Sequence, residues 1–180
     1  YMVARYPNSK ADLFGIFIEK CLSLMVAGGR LSMITQQSWI FLSSFESLRK
    51  ILLTKSSIES LVHLGLHVFK ELNSKVVQSV AFTLQLGRPK GDGIYYDLQK
   101  EFTLEEKERN FLAKSNIYYK HQSDFIKIPR SPIAYWANNN AFKAFENKLV
   151  DDYSTLFQGM ITGDNDEFVR NWFEVSHRLV

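Results

Sequence analysis

The chain has 180 residues, 46% apolar and 23% charged, the proportions of an ordinary soluble domain, with no low-complexity tract and no internal repeat. A net charge of +3 neither demonstrates nor excludes a polyanion partner, and a lone cysteine, Cys21, rules out an internal disulfide and suits a reducing cytoplasm. No apolar run approaches the roughly 20 residues that cross a bilayer and no signal peptide is present, so no membrane association is expected. The opening at Tyr1 suggests a piece of a longer protein.

In chain order, Ser9–Met25 places apolar residues at 13, 14, 17, 18, 21, 22, 24 and 25, a helical period, with Ser9 as N-cap and Asp12 in the capping-box slot. Gly28 and Gly29 stop that helix. Leu31–Thr35 reads as a short buried strand. A helix capped by Ser38 or Ser43 follows, with Leu48, Ile51 and Leu52 on its inner face. Ile58–Leu64 and Val76–Leu86 read as strands, the second rich in β-branched and aromatic residues. Pro89, Gly91 and Gly93 mark a turn, and Ile94–Asp97 forms a further short strand. Phe102–Lys114 is a charged helix capped by Thr103. Ile117–Ile128 holds one or two extended segments, Pro129 and Pro132 an irregular passage, and Asn138–Leu149 a last helix. The order predicts an α/β fold whose sheet ends in an antiparallel strand.

Little of the chemistry is declared by motif. There is no Walker loop, no G-x-G-x-x-G and no nucleophile elbow. His63, His67, His121 and His177 are scattered without metal spacing, and each reads as structural or solvated. Trp39 and Phe41 follow a strand's carboxyl end, where open α/β sheets bind ligands; they could equally cover the sheet edge. Phe69, in a polar stretch with Lys70 and Lys75, suits stacking on a base beside phosphate contacts, although on spacing alone a core role is favoured.

The stretch SKADLFGIFIEKCLSLMVAGGRLSMITQQSWIFLSSFESLRKILL, followed by LVHLGLHVFKELNSKVVQSVAFTLQ, closely resembles the γ-class N6-adenine DNA methyltransferases, most of all the BREX phage-defence (PglX) type. Related type II restriction–modification enzymes share the pattern. The resemblance is strong over about residues 8–88 and resumes at SPIAYWANNNAFKAF and FQGMITGDNDEFVRNWFEV.

The resemblance implies a Rossmann-like methyltransferase sheet, S-adenosylmethionine as cofactor, and methyl transfer to adenine N6 in double-stranded DNA, with other phage-defence or restriction subunits as further partners. It divides the chain into the second half of a catalytic domain (1–100), a connecting α+β segment (101–150) and the start of a target-recognition region (151–180). Phe69 matches the aromatic residue that packs on the flipped adenine. Lys70 and Lys75 would meet phosphates, and Trp39 would help wall the base pocket. Asp12, Leu13 and Phe14 align with a motif lining the cofactor pocket, and Thr162, Gly163 and Asn165 fall in the recognition signature. A flipped base is required because the amino group is out of reach inside a duplex.

The family's glycine-bearing cofactor motif and its Asn-Pro-Pro-Tyr-type catalytic motif do not occur in these residues and by family order lie upstream. The 180 residues alone are therefore expected neither to methylate DNA nor to bind the cofactor well, and an exposed sheet edge could make them self-associate. The rival reading is a non-catalytic DNA-binding or assembly module derived from a methyltransferase. A small-molecule methyltransferase is disfavoured by QGMITGDND, for which a small substrate has no use.

Overall fold

The computed structural model of the protein describes residues 5–9, 12–69, 77–89, 91–148 and 150–155. Helix α1 (Leu13–Leu24) leads into strand β1 (Arg30–Gln36). Two short 3-10 turns follow, at Gln37–Ile40 and Ser43–Phe45, then helix α2 (Glu46–Lys55) and strand β2 (Ser56–Gly65). Strands β3 (Ser79–Leu86) and β4 (Gly93–Asp97) precede helix α3 (Leu104–Leu112), strand β5 (Ile117–Lys120) and the short helices α4 (Ser123–Lys127) and α5 (Asn139–Ala144).

The five strands form one mixed sheet in the order β1-β3-β2-β4-β5. β3 lies between β1 and β2 and runs antiparallel to both, from Arg30↔Gln85 to Gln36↔Ser79 on one side and from Ser56↔Leu86 to Gly65↔Ser79 on the other. An antiparallel β3 is as expected from the sequence, and its place between β1 and β2 is the one the strand order of the resembled family implies. β4 then pairs parallel with β2, and β5 antiparallel with β4. The expected start of β3 at Val76 lies outside the described residues.

One face of the sheet carries the core. Ile58 and Leu61 of β2, Val80, Phe82 and Leu84 of β3 and Tyr95 of β4 meet Leu48, Leu52, Phe125 and Tyr135 there. On the opposite face Ser32, Ile34, Ser60, Val62, Ala81 and Thr83 line a shallow, open depression. A bulge interrupts the β2–β3 ladder between Ile58 and Ser60. The Ile58 amide is satisfied by Gln122 Oε1 at 2.9 Å, while Gln122 Nε2 donates to the carbonyls of Leu53 and Ser56. One buried amide thus stands in for a missing ladder bond and ties the start of α4 to β2.

Gly93 opens β4 where a Cβ would lie 2.5 Å from the Ile58 carbonyl oxygen and 2.8 Å from the Tyr95 hydroxyl. Gly93→Ala should therefore cost about 1–3 kcal/mol, seen as a lower melting temperature.

Several elements differ locally from the sequence expectation. Asp12, not Ser9, caps α1, its carboxylate accepting from the Leu13 amide at 2.6 Å. Ser9 is buried and donates to Glu19 instead. The helix ends at Leu24, before the glycines, with Met25 already extended; Gly28 makes the left-handed turn into β1. Neither Ser38 nor Ser43 caps α2, which begins from a 3-10 turn. The Thr103 cap is present with Glu106 completing a capping box. Of Ile117–Ile128 only Ile117–Lys120 is strand and Ser123–Lys127 becomes α4, and the last expected helix is only Asn139–Ala144, capped by Asn138.

Residues 1–147 pack as one unit and 148–180 as another. No break in packing falls at residue 100: the Lys107 ammonium of α3 is buried and donates at 2.7 Å to the carbonyls of Leu64, Leu98 and Glu101. In the second unit a 3-10 turn at Val150–Asp152 is described, with the Lys148 ammonium 5.4 Å from the Tyr153 ring centre.

Candidate functional site

β1, β2 and β4 point the same way, so their carboxyl ends share one edge of the sheet. Open α/β sheets bind ligands outside that edge. Here a cleft of about 490 Å³ opens, lined by Gln37, Phe41, His63, Asp97, Gln99 and Trp136. Its size is that of small-molecule sites, roughly 300–1,000 Å³.

A run of hydrogen bonds crosses the floor. Gln37 Nε2 donates to Gln78 Oε1, and Gln37 Oε1 meets His63 Nε2. His63 Nδ1 lies 2.8 Å from the Tyr135 hydroxyl. Burial drives the His63 pKa down to about 4, against the opposing pull of Asp97, so the ring is neutral at pH 7. A neutral imidazole has one donor nitrogen. Since Gln37 Oε1 only accepts, Nε2 carries the proton and Nδ1 accepts from Tyr135. Burial, with Asp97 adding to it, pushes the Tyr135 phenol well above its ordinary range, so it stays protonated and able to donate. Tyr135 also stacks on Tyr95, ring centres 5.4 Å apart and planes 5° from parallel. Asp97 Oδ1 accepts from the main chain and side-chain amide of Gln99 at 3.2 and 3.1 Å.

The walls are set by a buried cation. Arg49 of α2 is completely buried and donates to the carbonyls of Trp39, Leu42, Arg130 and Ser131 at 2.7–3.3 Å. It joins the segment after β1, which carries Phe41, to the segment that leads into Tyr135 and Trp136. Ile133 N–H donates to the Ile40 carbonyl at 2.7 Å in support. Arg130 and Ser131 adopt left-handed backbone, φ 65° and 48°, which turns the chain so that both carbonyls reach the guanidinium.

Among the sequence-predicted site residues, Phe69 is 42% exposed and lies four residues past the end of β2, beyond His67 at φ 62°. Lys70 and Lys75 lie outside the described residues. Trp39 is completely buried: its indole N–H donates to the Thr35 hydroxyl at 3.1 Å and its ring meets Phe82 edge-on at 5.0 Å. It backs the wall rather than facing the cleft. Asp12 caps α1, Leu13 is 55% exposed, and Phe14 packs on Phe45 with ring centres 5.2 Å apart. Thr162, Gly163 and Asn165 lie outside the described residues. His63, read from sequence as structural or solvated, is at the centre of the floor. Sequence reasoning does not single out Asp97, Gln99, Tyr135 or Trp136. The available signal was their position: His63 and Asp97 close to the carboxyl ends of predicted strands, and the compact aromatic pair in IAYW.

Residues 1–69 match the Eco57I restriction-modification methylase family. The chain is 36% identical over 179 residues to the adenine-specific methyltransferase PglX of Lacticaseibacillus casei (strain Zhang), the alignment covering 94% of this chain and 15% of PglX. It is 36% identical over 177 residues to the adenine-specific methyltransferase BrxX of Escherichia coli O9:H4 (strain HS), covering 96% of this chain and 14% of BrxX. The chain spans about one-seventh of the length of these curated relatives. A crystal structure described as a modification subunit of a type I restriction enzyme from Vibrio vulnificus YJ016 is similar with a TM-score of 0.50 at 16% identity, over 74% of this chain and 33% of that one, a likeness of fold.

Proposed function

Over nearly its whole length the chain belongs with the PglX and BrxX adenine-specific methyltransferases, and from that premise we propose that it is the second half of a catalytic domain in a protein that methylates adenine N6 in double-stranded DNA. The observation that carries this reading is the 36% identity to two proteins of that name across at least 94% of the chain. The role is host modification in the cytoplasm, within BREX-type phage defence or restriction–modification, alongside other subunits of such a system. Residues 151–180, with Thr162, Gly163 and Asn165, begin the part that reads the DNA target.

S-adenosylmethionine, when bound, supplies the electrophilic methyl group. The described residues fit a flank of that cofactor rather than its cradle. Asp12 has one carboxylate oxygen taken by the Leu13 amide, Leu13 is largely open, and Phe14 is fixed against Phe45. They would hold an edge of the cofactor pocket by contact. On the substrate side Phe69 offers an aromatic face to the flipped adenine, Lys70 and Lys75 meet phosphates, and Trp39 stiffens the wall from within the core. The contribution of these residues is position and water exclusion, not proton transfer.

Phe69→Ala in the whole protein is expected to remove a stacking face worth about 1–3 kcal/mol, a loss of roughly 5- to 150-fold in methylation at limiting DNA. Phe69→Trp and Phe69→Tyr should keep most of the activity, and cofactor affinity should be unchanged. Tritium transfer from labelled cofactor to duplex DNA, with cofactor calorimetry and melting temperature on the same variants, makes the test. A fall in melting temperature with Trp as harmful as Ala would remove Phe69 from the site. A whole protein that binds DNA but transfers no methyl group would favour the non-catalytic module.

A further inference from the structure

The β2–β4 ladder ends at His63↔Asp97, but the hold on the chain leaving β2 continues past it. The Leu98 amide donates to the His63 carbonyl at 2.9 Å. One residue on, the Leu64 carbonyl accepts at 2.7 Å from the buried Lys107 ammonium, which also serves the carbonyls of Leu98 and Glu101. Gly65 and His67 then turn the chain in left-handed backbone, φ 69° and 62°. A residue other than glycine is strained in that conformation and persists there where its surroundings fix it. The His67 ring has such a neighbour in Phe102, ring centres 6.0 Å apart and planes 35° from parallel. Phe102 is itself anchored. Its amide and that of Thr103 donate to the Glu106 carboxylate at 3.1 and 3.2 Å, within the capping box that opens α3. Residues 98–107 thus grip residues 63, 64 and 67 in succession, and Phe69 stands two residues further along. These contacts lie beyond the β2–β4 ladder, and what they fix is the direction in which the chain leaves β2.

We propose that Lys107 and Phe102 are positioning residues for Phe69: the segment 98–107 clasps the end of β2 and so sets where the Phe69 ring is presented to DNA. The proposal rests on the reading that Phe69 stacks on the substrate base. Both residues act through the chain they hold, by limiting the conformations from which Phe69 must be recruited.

The test measures kcat/KM for duplex DNA, duplex affinity, cofactor affinity and melting temperature in the whole protein. Lys107→Met leaves three carbonyls unserved and should lower melting temperature and kcat/KM together, so the decision falls to Phe102. That side chain is 75% exposed, and its removal leaves the core intact. Phe102→Ala should lower kcat/KM about 2- to 12-fold, the scale of one aromatic pair, with cofactor affinity and melting temperature unchanged. Phe102→Tyr, which keeps the ring, should retain most of the wild-type value. In a Phe69→Ala background, Phe102→Ala should cost less than about twofold, because its effect passes through Phe69. The same loss in both backgrounds would make Phe102 a separate DNA contact and overturn the proposal. So would an unchanged kcat/KM in Phe102→Ala or Lys107→Met, or a loss in Phe102→Ala matched by falls in melting temperature and cofactor affinity. A wild-type protein that transfers no methyl group sinks the methyltransferase reading alone. The duplex affinities, which should follow the same order across the variants, then decide the clasp.

Discussion

Arg49→Met should be among the most damaging single substitutions in this chain, costing roughly 3–5 kcal/mol of stability. Among the described residues the arginine has no buried carboxylate partner. Burial lowers its pKa, with the Glu46 charge acting against that shift. What keeps a completely buried guanidinium tolerable is the set of four main-chain carbonyls it serves, from Trp39, Leu42, Arg130 and Ser131. Methionine matches much of the volume but donates nothing, so four acceptors lose their partner together, and water can relieve only part of the cost. Lysine keeps the charge as a compact ammonium and cannot reproduce a planar fork that reaches both segments, so Arg49→Lys should recover little. At about 2–4 °C per kcal/mol for a chain of this size, the melting temperature of Arg49→Met should fall by about 6–20 °C. Glu46→Gln, which removes a solvent-facing salt bridge to Lys50, should change stability by less than about 1 kcal/mol. Equal effects from Arg49→Met and Glu46→Gln would refute the clamp.

Arg49 illustrates why only part of this molecule is legible in its sequence. On α2 it reads as one more charged residue beside Lys50, and nothing local announces that two distant loops present carbonyls to it. The three central strands are legible because their signals are local: short runs rich in β-branched and aromatic residues, punctuated by Gly and Pro. The reversed β3 is legible from the family resemblance and from a short connection without a clear helical period. Thr103 and Glu106, three residues apart, spell out their capping box. Ile117–Ile128 misled because its alternation is short, and the turn into α4 is fixed by Gln122 reaching the bulge in β2, a contact 64 residues apart in sequence. The cleft is the extreme case. Gln37, His63, Asp97 and Trp136 come from four separate segments, and no spacing relates them. Phe69 lies in a polar stretch and is exposed, although its spacing alone favours a core role; Trp39 follows a strand's carboxyl end, where a ligand-facing residue would sit, and is buried in the core.

Acidification should weaken the fold through His63, and the sign follows from its environment. Free in an unfolded chain the ring titrates near 6.5; in the folded chain burial holds it at about 4. Above pH 6.5 the ring is neutral in both states and stability is unaffected. As pH falls from about 6.5 toward 4, the unfolded chain takes up the proton first, and the folded state loses up to about 1.4 kcal/mol per pH unit. The total is about 3 kcal/mol, and below about 4 both states are protonated and the loss levels off. The Asp97 charge works against this drop and the Lys107 ammonium with it, but both are smaller causes than burial. Glu46 and Glu106, whose pKa values are lowered in the fold, add acid losses of their own only below the ordinary carboxylate range, so the window from pH 6.5 to about 4.5 isolates the histidine. Urea unfolding at pH 7.5, 6 and 5 should show about 2 kcal/mol lost between the first and last in the wild-type chain. His63→Gln, which can still bond Gln37 or Tyr135 but cannot titrate, should start less stable and run nearly flat over the same interval. A wild-type slope that persists in His63→Gln would assign the acid sensitivity elsewhere. A protonated His63 would also have no lone pair left for Tyr135, so acid should loosen the cleft floor before the sheet itself unfolds.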